Sequence, residues 1–70
     1  MQQYLIAKAR NSVTGETQVS QDLTGARFEL HQRGLAQGRA DQLAEGLTER
    51  TGDLWLGFVE RYTPSQRRDQ

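Results

Sequence analysis

Only one stretch of this sequence repeats its apolar residues at a helical spacing, so a single helix must do all the covering that helices can do here. From about Gln32 to Thr51, the residues Ala36, Ala40, Leu43 and Leu47 recur at steps of four, three and four, with Ala44 beside them. That spacing gathers side chains on one helical face. Gln37, Arg39, Asp41, Gln42, Glu45 and Glu49 fall on the other side, which should see water. Thr51-Gly52 supplies the C-terminal stop, with Gly52 suited to the left-handed position. Gly34, Gly38 and Gly46 lie in or beside the helix, each costing about 0.8–1 kcal/mol relative to alanine in an interior position. Such a helix needs tertiary contacts, and its small residues let the backbone approach whatever lies beneath it.

The rest of the chain alternates. In Gln3 to Arg10, Tyr4, Ile6 and Lys8 share one face of a strand and Leu5, Ala7 and Ala9 the other, a two-sided apolar pattern that suits an interior position. Asn11-Ser12-Val13-Thr14-Gly15 reads as a hairpin turn, with Gly15 free to take positive φ. The return strand, Glu16 to about Asp22, has Val19 as its one strongly apolar residue and belongs at a sheet edge. In residues 23–33, Ala26, Phe28 and Leu30 alternate with Arg27, Glu29 and His31 as in a strand, but the segment is short and reads as an extended approach to the helix, with a strand as the alternative. After Gly52, Asp53 to Tyr62 is the most strand-like segment; Leu54, Leu56, Phe58 and Tyr62 point one way, Trp55 and Val59 the other. Thr63-Pro64 ends it, and residues 64–70 read as a mobile polar tail.

The expected fold is α+β with order β-β-α-β: an antiparallel three-stranded sheet with one helix packed on one face, a single small domain over residues 1–63. Seventy residues leave no room for a second domain, and a chain this short sits near the lower limit for a core without staples. The absence of cysteine removes disulfides and the commonest structural zinc sites. With 34% hydrophobic residues and a mean hydropathy of -0.83, modest stability is expected, and self-association is the reinforcement left open.

Function is constrained mostly by exclusion. Nine basic and nine acidic side chains cancel, so no global field draws in nucleic acid or an anionic membrane. No segment has the length and apolarity to span a bilayer. Met1 to Ala9 lacks the charged and apolar regions of a secretory leader, and a cysteine-free chain suits the cytoplasm. His31, the one histidine, matches no catalytic or metal-binding spacing with Ser20, Asp22 or Glu29; neither a catalytic residue nor a metal or other cofactor is expected. Asp41, Glu45 and Glu49, four apart, read as a solvated acidic face. Gly34-x-x-x-Gly38 lacks the context of a phosphate loop.

A binding module is the remaining class. One helix leaves one sheet face uncovered, and with Leu54, Leu56, Phe58 and Tyr62 placed beneath the helix, Trp55 and Val59 would emerge on the open side, with Arg61 and Tyr4 nearby. Tryptophan, tyrosine and arginine dominate interface energies, so Trp55, Val59, Arg61 and Tyr4 form the candidate protein interface; the alternative places Trp55 in the core. A homodimer pairing the two open faces would satisfy both. The competing class is nucleic-acid binding through Arg27, Arg33 and Arg39 around the helix start and Arg67 and Arg68 in the tail, with Tyr4, Trp55 or Tyr62 stacking bases.

Three segments, Arg10 to Glu16, the alanine-rich helix closing on Arg50-Thr51-Gly52, and Trp55 through Tyr62-Thr63-Pro64, together resemble small accessory proteins of phages and prophages. The resemblance implies an origin on a mobile element and action on a host or phage complex. It transfers no functional residue.

Overall fold

The computed structural model describes residues 3–19 and 27–63. Within them the first strand, β1 (Tyr4–Asn11), is central and the most buried element: Leu5, Ile6, Ala7, Ala9 and Asn11 are all buried. The two-sided apolar pattern therefore marks an interior strand, as its sequence implies. A tight turn follows, in which the Gly15 N–H donates to the Asn11 carbonyl at 2.8 Å and Gly15 adopts φ 81°. The side chain of Asn11, 3% exposed, holds the turn from within. Its Oδ1 accepts from the Val13 and Thr14 amides at 2.7 and 3.0 Å, and its Nδ2 donates to Asp53 Oδ2 at 3.2 Å. A buried amide group so placed is satisfied rather than costly.

The return strand β2 (Thr17–Val19) and a two-residue strand β3 (Arg27–Phe28) both pair antiparallel with β1. The last strand, β4 (Trp55–Tyr62), pairs antiparallel with β1 along all eight residues, from Tyr4 opposite Tyr62 to Asn11 opposite Trp55. A strand has two edges. β2 and β3 thus share the edge that β4 leaves, and the expected three lanes hold four strands. From Val19, opposite Lys8, to Arg27, opposite Ile6, β1 advances two positions while the chain advances eight. β2 and β3 therefore lie in one outer lane beside β1, at different positions along it. Residues 20–26 and 64–70, including the end of the expected return strand and the expected tail, lie outside the described residues.

A 3-10 turn at Leu30–Gln32 leads into the helix, α1 (Arg33–Thr51). The extended approach expected before the helix thus consists, within residues 27–32, of β3 and this turn. Helix α1 ends at Gly52, which takes φ 83° while its N–H donates to the Thr48 carbonyl at 2.9 Å. Ala36, Ala40, Ala44 and Leu47 are buried against the sheet and Leu43 is half-buried.

The faces are reversed from expectation. Paired residues in an antiparallel ladder share a face, so Leu5, Ala7, Ala9 and Asn11 lie with Trp55, Gly57, Val59 and Arg61. This set faces the helix: Trp55, 3% exposed, packs with Ala9, Ala44 and Leu47, and a Cβ built on Gly57 would lie 2.5 Å from the Ala40 carbonyl oxygen. Leu56, Phe58 and Tyr62 fall on the open face instead, and Leu54 precedes the strand, 56% exposed. The physical reason is a matter of volume and of phase. A helix lined with alanines comes so close that only glycine fits beneath Ala40, and Trp55, two residues away, fills the space at the helix C-terminal end. Three residues, 52–54, join α1 to β4 and fix which alternate set turns inward, because a shift of one residue exchanges the two faces.

Candidate interaction surfaces

Hydroxyl groups hold the turn from α1 into β4 through hydrogen bonds that the sequence patterns did not show. Thr51 Oγ1 donates to the Leu47 carbonyl at 2.8 Å and accepts from Trp55 Nε1 at 2.9 Å and from the Asp53 amide at 3.1 Å. Thr48 Oγ1 accepts from the Trp55 amide at 2.9 Å. Ser12 donates through its amide and its hydroxyl to the Leu54 carbonyl, at 2.9 and 2.8 Å. The indole of Trp55 is therefore both packed and polar-satisfied. That combination makes it a core anchor, and takes it out of the surface set in which the alternation had placed it. Threonines one turn apart before a glycine stop were the available signal.

With Trp55 and Val59 on the helix side, the open face consists of Tyr4, Ile6, Lys8 and Arg10 from β1, Leu56, Phe58, Glu60 and Tyr62 from β4, and Thr17, Val19 and Arg27 from the outer lane. Its middle is apolar. Ile6 is buried, while Tyr4, Phe58 and Tyr62 are half-buried, and Leu56 and Val19 expose 54% and 36% of their surface. Charges border this area. Lys8 is ion-paired with Glu60 across the ladder, and the Arg27 guanidinium lies 4.6 Å from the centroid of the Tyr4 ring, within cation–π range.

Of the expected interface residues, Tyr4 alone lies on the open face. Arg61 is exposed on the helix-facing side, at the register position of Leu5. The expected nucleic-acid cluster is divided. Arg27 is on the open face, whereas Arg33 and Arg39 are on α1, with the Arg39 guanidinium 5.9 Å from the Phe28 ring on the helix side of the sheet. Arg67 and Arg68 lie outside the described residues. His31 is exposed in the 3-10 turn. Among the described residues no three His, Asp or Glu side chains are grouped so as to hold a metal ion, and no helix is long and apolar enough to cross a membrane.

A second surface runs beside β4. A groove of about 630 Å³ lies between α1 and this strand, lined by Asp41, Glu45 and Glu49 on one side and Leu54, Leu56 and Gly57 on the other. The acidic row read from the sequence as a solvated face thus borders a strand edge.

The described residues form a small α+β module in which the helix covers one sheet face and no described element covers the other. No known family, no curated protein and no solved structure matches this chain.

Proposed function

We propose that this chain is a non-enzymatic binding module of the cytoplasm that contacts a protein through its open sheet face, and that its partner belongs to a host or phage complex. The observation that carries the reading is the apolar middle of that face: Leu56 and Val19 exposed beside half-buried Phe58, Tyr4 and Tyr62, with charged groups around them. An apolar area rimmed by charge is characteristic of protein contacts. The reading differs from the sequence expectation in its residues, with Leu56, Phe58 and Val19 in place of Trp55, Val59 and Arg61. Cytoplasmic work suits a chain without cysteine, and the phage or host setting rests on the sequence resemblance.

One observation favours a second reading, binding of single-stranded nucleic acid. The open face carries Lys8, Arg10 and Arg27 against one acid, Glu60, together with three aromatic rings, the ingredients of a stacking platform. Against it, Lys8 is already paired with Glu60 and Arg27 already covers the Tyr4 ring.

Affinity capture on immobilised chain separates the two. The protein reading expects a defined partner that wild type retains from nuclease-treated lysate and that Leu56→Glu with Val19→Glu loses. Capture abolished by nuclease, with salt-dependent binding of a single-stranded oligonucleotide that Arg10→Glu with Arg27→Glu weakens, would transfer the function to nucleic acid.

A further inference from the structure

We propose that the free edge of β4 is a self-association site, at which a second copy of this chain pairs antiparallel with Gly57–Arg61 and places its Arg61 against the acidic row of α1.

The edge is defined by hydrogen bonds. The Leu54 carbonyl accepts from Ser12, on the β1 side, whereas the Trp55 amide and the Gly57 carbonyl turn outward to Thr48 and Gln37 of the helix. Main-chain groups alternate sides along an antiparallel strand, so Val59 and Arg61 also present their amides and carbonyls outward. No partner among the described residues takes them. The opposite edge of the sheet is broken into strands of three and two residues, but β4 runs for eight residues in unbroken register. Short or interrupted edges resist strand addition and long regular ones invite it.

Charge complementarity selects the occupant. Arg61 is exposed and has no ion-pair partner among the described residues, and the same holds for Asp41, Glu45 and Glu49, of which Asp41 accepts a hydrogen bond from Gln37. A two-fold axis at Val59 sets Gly57 opposite the partner's Arg61, about 4.7–4.9 Å across the new ladder. The backbone of Ala40 and Asp41 lies directly over Gly57, so the partner's Arg61 enters beside Asp41, toward Glu45, and the symmetry repeats the contact. On the open side Leu56 then meets the partner's Tyr62, and Phe58 meets the partner's Glu60. An axis at Glu60 would instead oppose two glutamates, which is unfavourable. The Gly57 carbonyl retains a lone pair beyond the one that Gln37 uses. The product is a continuous sheet of six lanes, whose open faces stay available on one side.

The test is solution mass by sedimentation equilibrium across a wide concentration range, with folding checked by circular dichroism. Wild type is expected to dimerise. Arg61→Glu is expected to be monomeric, and so is Asp41→Lys combined with Glu45→Lys; all three positions are exposed, so the fold is retained. Mixing the two variants should restore a heterodimer, because the reversed charge at position 61 of one chain meets the reversed charges of the other while the native pair meets at the second contact. Amide exchange at Val59 and Arg61 should slow with dimerisation. A wild type that stays monomeric, a dimer indifferent to Arg61→Glu, or variants that fail to pair when mixed would each overturn the proposal. None of these outcomes touches the open-face reading, which Val19→Glu tests separately, because Val19 lies in the outer lane, away from the new ladder.

Discussion

At Gly57 the absence of a side chain decides how close the helix comes to the sheet. A methyl group there would meet the Ala40 carbonyl oxygen at 2.5 Å and the Asp41 nitrogen at 2.8 Å, both backbone atoms that move only with the helix. Gly57→Ala is therefore expected to lower unfolding free energy by about 1–3 kcal/mol, read from urea denaturation. Thr51 is a second position of this kind. Its hydroxyl oxygen is the acceptor of the Trp55 indole, so Thr51→Val, which keeps the shape, leaves a buried N–H unsatisfied and should cost about 1–3 kcal/mol, with a change in tryptophan fluorescence. Neither role can be read from Gly57 or Thr51 alone, because each depends on an atom brought close by the fold.

Among the elements, β1 and α1 were the most legible. The former carries apolar residues on both faces and became the central strand; the latter has one small-residue stripe and a glycine stop, and its observed bounds follow the pattern closely. The phase of β4 was illegible, since both of its alternate sets are apolar enough to be buried. The larger set, Leu56, Phe58 and Tyr62, went outside. Two substitutions separate the faces by stability: Trp55→Ala is expected to cost about 3–5 kcal/mol, while Leu56→Glu should stay within about 0.5 kcal/mol of wild type. Equal losses from the two would return Leu56 to the core. The hairpin turn was visible in Asn11 to Gly15, but not the reach of Asn11 to Asp53 across the sheet end. Asn11→Ala should cost about 1–3 kcal/mol, measured in the same urea titration.

For the whole molecule, a formal net charge of zero conceals an uneven distribution. Asp41, Glu45 and Glu49 line the groove by α1 and β4, while Lys8, Arg10 and Arg27 lie on the open sheet face. Charges so separated orient a molecule toward a partner although they sum to nothing. The core is lean for a related reason. Among the described residues, four of the nine buried hydrophobic members are large, Leu5, Ile6, Leu47 and Trp55, and the rest are alanines. Apolar burial scales with area, so mass action from a second copy would add stability that this core does not supply. The midpoint of thermal unfolding is accordingly expected to rise with protein concentration in wild type and to be independent of it in Arg61→Glu, as followed by circular dichroism.

Taken alone, the sequence determined the β-β-α-β frame without β3 or the 3-10 turn that stand between β2 and α1, the central place of β1 and, among the described residues, a sheet face that the helix does not cover, because each follows from local periodicity or from having one helix to cover two sides. Only the tertiary structure decided which residues form that face, that Trp55 lies beneath the helix, and that the acidic row of α1 borders the free edge of β4. Those outcomes depend on a one-residue phase set where α1 turns into β4, and on a close helix approach that small side chains permit but do not announce.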